Sequence, residues 1–255
     1  MSGHQKADSL AGEAYVTLRE RILRGELPIG MVVSRRKIAL ELGMSMLPVS
    51  EALQRLELEG LLESRPRAGT RVRIPTEEDV RGHYVVREAL EVQAAKLFAA
   101  GATERERTEL QRLAARVDAL SARPDKDRFL YLTLHETLHR RIAEGAHCRP
   151  LCEAIEKNQV LASTWLCVPR PALSDEPPRR HQDLAAALIK GDPKAAAEAM
   201  RRHVNNALKN TLSRLESHFR MREEASRETY IRSPKKLAAP RTEKAAVKTQ
   251  SGARR

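Results

Sequence analysis

Aromatic side chains are scarce, with Phe, Trp and Tyr together making up 3% of the 255 residues. Strands draw on aromatic and β-branched residues, so this scarcity, beside abundant Ala and Leu, points to packed helices. Cysteine is scarcer still. Cys148, Cys152 and Cys167 form an odd set with no disulfide framework, which suits a reducing cytoplasm. No apolar run approaches the roughly 20 residues needed to span a bilayer. The N-terminal "MSGHQKADSL" lacks the apolar core of a signal peptide. A membrane partner and a secreted enzyme are therefore both disfavoured.

Acid is in deficit too. Against 34 Asp and Glu stand 46 Lys and Arg, for a formal net charge of +12. The excess suggests a polyanionic partner, although ribosomal association or a merely basic surface would give similar totals. Hydrophobic residues reach 41%, enough for a core, and the length allows one large domain or two small ones.

The pattern along the chain has three parts. Residues 9–75 read as helix, short helix, turn, helix and β-ribbon, the order of a winged helix-turn-helix. The first helix, in "SLAGEAYVTLRERILRGEL", ends at Gly25, and "LPIGMVV" is a turn followed by an extended segment. Ser34 and Gly43 bracket a second helix, and Ser45 and Gly60 a third, with Pro48 in its first turn. "LLESRPRAGTRVRIP" reads as two short strands around a turn. Residues 76–222 read as about six helices, at 77–100, 104–121, 126–145, 149–167, 177–190 and 193–222, forming an all-helical antiparallel bundle. Thr76 with Asp79, and Thr103 with Glu106, have capping-box spacing, and Gly191-Asp192-Pro193 stops one helix and starts the next. Residues 223–255 read as a disordered basic tail. From 231 onward, eight Lys/Arg face the single acid Glu243, which accounts for more than half of the net charge. Nonspecific phosphate contact and a solvated tail with no specific task both suit that composition.

The stretch "LHETLHRRIAEGAH" contains H-E-x-x-H at His135, Glu136 and His139, the pattern of zinc peptidases. At about 100° per residue, Tyr131, Leu138, His139, Ile142 and Ala146 fall within roughly 60° of His135. Both histidines thus project from an apolar stripe, one turn apart, where two imidazoles can share a metal ion. His181 shares a face with Leu184, Ala185 and Leu188, and His203 with Ala196, Ala199, Met200 and Ala207. A single histidine on such a face is usually a hydrogen-bonded core residue. Four on helices able to converge leave metal binding and core packing open alike.

At "RRKIALELGMSMLPVSEALQRLELEGLLESRPRAGTRV" the chain resembles the GntR family of bacterial transcription regulators, through Ala39, Leu42, Gly43, Ser45, Pro48, Val49, Glu51, Ala52, Leu53, Leu56, Gly60, Leu61 and Gly69. The resemblance implies a DNA-binding head over residues 10–75. Leu53, Leu56 and Leu61 would pack the recognition helix, Ser45, Ser50 and Arg55 would lie at or near the groove, and Gly69 would let the ribbon tip approach the duplex. Arg65, Arg67, Arg71 and Arg73 would neutralise phosphates from the ribbon. One segment departs from the family. Where Ser-Arg-Thr-Pro-Val-Arg is common, this chain reads "SMLPVS", so Met46 and Ser50 replace two arginines and Leu47 a threonine. Arginine is the commonest bidentate reader of guanine, so a different operator is expected. Arg35, Arg36 and Lys37 would restore backbone affinity.

Residues 77–220 resemble the FCD effector domain of FadR-type regulators, through "VVREALEVQAAKLFAA", "LHRRIAEGAHCRPL" and "HQDLAAALIKGDPKAAAEAMRRHV". Many such domains hold a divalent metal with one Asp and three His. His139, His181 and His203 match the three histidines, and His135 stands in the aspartate's place. The implied four-His set favours Zn²⁺ or Ni²⁺ over Mn²⁺. The resemblance further implies a small organic acid effector, with Arg87 as its carboxylate partner or, alternatively, as the ion-pair partner of Glu91. His147, where the family often has Asn, reads as structural. Resemblance and half-site geometry together imply a homodimer on double-stranded operator DNA in the bacterial cytoplasm, nucleoid-associated, acting as a repressor. The alternatives are an architectural nucleic-acid-binding protein and an H-E-x-x-H peptidase. In the peptidase reading Glu136 would be catalytic. In the regulator reading it makes an i,i+4 pair with Arg140.

Overall fold

The computed structural model describes residues 9–65, 69–121, 128–166 and 179–232. The head contains α1 (Leu10–Leu23), β1 (Val32–Val33), α2 (Arg35–Leu42), α3 (Met46–Leu58), β2 (Leu62–Arg65) and β3 (Gly69–Val72). Ser9 caps α1 by accepting from the Gly12 amide at 3.1 Å, and Ser34 caps α2 by accepting from Lys37 N at 3.3 Å. Gly43 closes α2 in the left-handed region, with φ of 63°, where a side chain would be strained. Ser45 takes the N-cap position of α3, as expected, but its side chain makes no capping bond. The three strands form an antiparallel sheet in the order β1-β3-β2, with Leu62 opposite Val72 and Arg65 opposite Gly69. Leu18, Ile22, Leu53, Leu56, Leu61 and Val72 are buried in one core, which fastens α3 to α1 and the ribbon.

The second unit contains α4 (Glu77–Gly101), α5 (Glu104–Ser121), α6 (Arg128–Glu144), α7 (Arg149–Leu166), α8 (Arg180–Ile189) and α9 (Pro193–Arg232). Its ends follow the local chemistry. Thr76 and Asp79 form the reciprocal capping box, at 2.8 and 2.9 Å. Thr103 and Glu106 do the same at 2.7 and 3.3 Å. Asp192 accepts from Lys194 N at 2.8 Å, and Pro193 opens α9. His147 ends the α6 corner at φ 51°, the conformation in which Asn is otherwise favoured. Phe98 lies at the centre of the bundle core. A Cβ on Gly145 would meet its ring at 2.6 Å, so that glycine sets how closely α6 can approach α4.

One expected boundary differs. The tail was placed from residue 223, yet α9 continues to Arg232. The extra residues "EEASRETYIR" are mostly good helix formers. The tail beyond 232 lies outside the described residues, as do Arg67 and Cys167. Leu161 and Ile29 pack against both cores, so head and bundle share apolar contacts. Among the described residues, no helix is long and apolar enough to cross a membrane.

Candidate metal centre and nucleic-acid interface

Three helices bring the four histidines together. His135 and His139 come from α6, His181 from α8 and His203 from α9, and all four are buried. His139 Nε2 lies 3.3 Å from His135 Nε2 and 3.4 Å from His203 Nε2. Ligand nitrogens of His135, His139 and His203 lie within 4.8 Å of one another, and His181 stands at the edge of that set, its ring centre 5.2 Å from that of His135 and 5.3 Å from that of His203. Tetrahedral nitrogen ligands at the usual zinc distance of about 2.0–2.1 Å sit roughly 3.3–3.4 Å apart, so the observed spacing fits such an ion.

Two carboxylates lie against the rings. His181 Nδ1 meets Asp118 Oδ1 at 2.6 Å, and Asp118 also accepts from the His181 amide at 3.3 Å and the Gln182 amide at 2.9 Å. His139 Nδ1 lies 2.8 Å from Glu91 Oε2. At His181 the carboxylate draws the proton onto Nδ1 and leaves the Nε2 lone pair free, as a metal ligand requires, whereas the close His139–Glu91 contact is not aligned as a hydrogen bond. His181 Nε2 is buried and has no hydrogen-bond partner among the described residues. Desolvation first, then neighbouring positive groups, holds His135 and His203 far below the usual imidazole range. Burial likewise lowers His181 to about 4, although Asp118 opposes it. Burial works against ionisation of Glu91, but Arg87 and His139 outweigh it and hold the carboxyl at about 2. The buried imidazoles of His135, His181 and His203, held neutral by desolvation, match the donor chemistry of a borderline-soft divalent ion.

Arg87 borders the cluster. Its side chain is buried, donates to Glu91 Oε1 at 2.7 Å and places NH2 3.4 Å from His139 Nε2. Both sequence readings of Arg87 therefore have a counterpart in position: the Glu91 pair is present, and the guanidinium stands beside the proposed ligands. Arg180 adds a second cation, bonded to the Tyr131 hydroxyl, and its charge helps depress His135, His181 and His203. Sequence reasoning missed Asp118 and Arg180. Asp118 had a legible signal, being an acid beside the apolar stripe of Leu110, Leu113, Ala114 and Val117.

Glu136 corrects an expectation. It binds Arg19 of α1 at 3.1 Å, while Arg140 turns to Glu144 at 3.8 Å. The acid of H-E-x-x-H thus points across to the head and away from the histidines.

On the head, Arg35, Arg36, Met46 and Arg65 are exposed, and so is Gly69 at the ribbon end. Ser45 is exposed at the start of α3, and Ser50 donates to Met46 O at 2.6 Å within the helix. Arg55 lies over the Tyr15 ring at 3.5 Å and binds Glu59 at 3.1 Å, and Arg71 binds Glu63 at 2.5 Å. Either arginine would have to weaken an internal pair to reach a phosphate.

With this geometry, residues 10–72 match the family model "Bacterial regulatory proteins, gntR family" and residues 83–206 match the FCD domain. A probable D-xylose utilization operon transcriptional repressor of Paenarthrobacter nicotinovorans is 32% identical over 189 residues, covering 72% of this chain and 80% of that protein. The chain belongs to the GntR family. The HTH-type transcriptional repressor RspR of Escherichia coli K12 is 26% identical over 194 residues, covering 75% of this GntR regulator and 84% of RspR. Two solved structures share the fold. A GntR transcriptional regulator from Rhodococcus sp. RHA1 has TM-score 0.67 at 23% identity, over 79% of this chain and 97% of that one. E. coli McbR/YncC has TM-score 0.63 at 22% identity, over 83% and 99%. The protein is a GntR-type transcription regulator with an FCD domain, and not an enzyme.

Proposed function

We propose that this GntR regulator is a homodimeric repressor whose grip on its operator is set by a small carboxylate effector bound beside a divalent metal. The carrying observation is the convergence of three buried imidazoles, His135, His139 and His203, between Arg87 and Arg180, with a fourth, His181, beside them and held by Asp118. His135, His139, His181 and His203 would hold the ion, with Zn²⁺ or Ni²⁺ favoured by the all-nitrogen set. With His135, His139 and His203 remaining as its ligands and His181 swung away, such an ion would keep a Lewis-acidic coordination position for a carboxylate oxygen. Arg87 would orient that carboxylate, while Glu91 keeps the guanidinium in place and Asp118 fixes His181. Arg180 adds positive potential at the same place.

α6 is the natural route to the DNA. One face carries His135 and His139, and the other carries Glu136 on Arg19 and Phe129 under the Arg24 guanidinium at 4.3 Å. Arg19 lies on α1 and Arg24 caps its C-terminus, and α1 packs on α3. A shift of α6 when effector binds would therefore move the recognition helix relative to its two-fold partner. At the DNA, Arg35, Arg36, Arg65 and Arg67 would meet phosphates, with the tail beyond 232 as a further nonspecific contact. Ser45, Met46 and Ser50 would face base edges in the major groove, where an apolar side chain suits a thymine methyl. Arg55 and Arg71 would contribute after loosening their acidic partners, and Gly69 would let the ribbon tip approach the duplex.

Metal analysis of purified protein, with melting curves across small organic acids, tests this reading. The wild type should hold about one divalent ion per chain and be stabilised by particular acids, and His139→Ala should lose both. Equal metal content and equal shifts in the two proteins would refute the site.

A further inference from the structure

An exposed leucine stands at the end of the recognition helix. Taking Leu47 as zero and advancing about 100° per residue, Glu51, Gln54 and Leu58 of α3 fall within about 40° of it. Val49, Ala52, Leu53 and Leu56 are buried in the head core. They fall within about 60° of the opposite side. Leu47 is thus at the centre of the outward line and in the first turn of α3, and it is 68% exposed. In helix-turn-helix heads the residues of that end meet base edges in the major groove. Met46 lies about 100° to one side of the line, and Ser50 about 60° to the same side. The Ser50 hydroxyl is already bonded to Met46 O at 2.6 Å. The two positions at which arginines are common in the family are therefore flanks of this helix, and Leu47 is its front.

No cation stands on that line. Arg55 is the single Lys or Arg of α3, and it is held over Tyr15 and bonded to Glu59. Guanine presents two acceptors in the major groove, N7 and O6, and is read by a bidentate arginine or lysine. Glu51, one turn behind Leu47, is itself an acceptor and offers those atoms nothing. Thymine is the base that presents carbon in the major groove, through its C5-methyl. An aliphatic side chain with no cation beside it complements that methyl and leaves guanine without a partner. We propose that Leu47 sets the base preference of this regulator by covering a thymine C5-methyl, so that each half-site carries thymine, and not guanine, where the first turn of α3 enters the groove. This rests on the operator-binding reading above and specifies it. The bland reading is a single exposed leucine of the kind most protein surfaces carry, which would give no dependence on the methyl.

The test selects sites for the full chain from a randomised duplex pool, with no effector added. Each thymine of the selected site is then replaced singly by deoxyuridine, which removes the methyl and keeps every hydrogen-bonding group. One thymine per half-site should respond, its replacement weakening binding roughly fourfold, as the exposure of one buried methyl does. Replacing it in both half-sites should weaken binding about tenfold or more. Leu47→Ala should bind the wild-type site with an unchanged salt dependence, since no phosphate contact is lost, and should no longer distinguish thymine from deoxyuridine. Leu47→Met, which keeps an aliphatic contact, should still distinguish them. Leu58→Ala, on the same outward line but three turns along and 83% exposed, should behave as wild type. A selected site whose thymines all tolerate deoxyuridine would overturn the role of Leu47 and leave operator binding standing. So would a methyl dependence that survives in Leu47→Ala. Selection of no site at all would overturn both.

Discussion

Two Arg-x-x-x-Glu pairs, spelled alike, lie in the two halves of this molecule. In the head, Arg55 and Glu59 meet at 3.1 Å with side chains 37% and 27% exposed. In the bundle, Arg87 and Glu91 meet at 2.7 Å with 2% and 4% exposed. Water screens the first pair, and Arg55 gains as much from lying over Tyr15. The second pair has lost its water, so each charge depends on the other, and both reach the histidine cluster through His139. The same local spelling gives a surface brace in one place and an anchored element of a binding site in the other.

The largest expected effect breaks that contrast directly. Glu91→Gln strands a buried guanidinium and should cost about 3–5 kcal/mol in urea unfolding with chelator present, whereas Glu59→Gln should cost only about 1 kcal/mol. Equal losses would mean that the two environments do not differ as described. Metal removal should act on the bundle alone. Ligand at a hundredfold excess over its Kd adds about 2.7 kcal/mol, so a chelator should lower the wild-type melting temperature and leave that of His139→Ala unmoved.

At the junction, Asp79 caps α4 and binds Arg73 at 2.9 Å. Burial opposes its ionisation, but hydrogen bonds from Thr76 and the charge of Arg73 hold its carboxyl below the usual 3.8. A carboxyl depressed in the folded state stabilises it above that value, and the contribution disappears as pH falls through the folded pKa. Asp79→Asn should cost about 1 kcal/mol at pH 7, and the difference from wild type should shrink in melts below pH 3.8. Arg19→Ala should cost still less, under about 1 kcal/mol, because its pair with Glu136 is only partly buried. If α6 carries the signal, the variant should nonetheless respond less to effector in gel shifts at unchanged metal content. Ser50→Arg should leave stability within about 0.5 kcal/mol while changing the bases selected from a randomised operator. An unchanged selection would remove position 50 from the reading surface.

Much of this was legible in the chain itself. Helix ends at Thr76, Thr103 and Asp192 follow from capping chemistry that acts within three or four residues. The inward direction of His135 and His139 follows from helical periodicity, and the core leucines of α3 from the same arithmetic. Less legible were relations across distance. Asp118 backs His181 from 63 residues away, and Arg19 takes Glu136 from 117 residues away in place of the local Arg140. The end of α9 was misplaced because a charged composition resembling a tail is also one that forms helix well.

The sequence by itself determined the elements, their caps and the faces on which the histidines lie, because those depend on backbone periodicity and on hydrogen bonds between near neighbours. Only the tertiary structure decided which charges meet, which lose their water and which imidazole nitrogens face one another. Those outcomes depend on helix packing, and packing sets the local dielectric that turns an ordinary Arg–Glu spacing into part of a binding site.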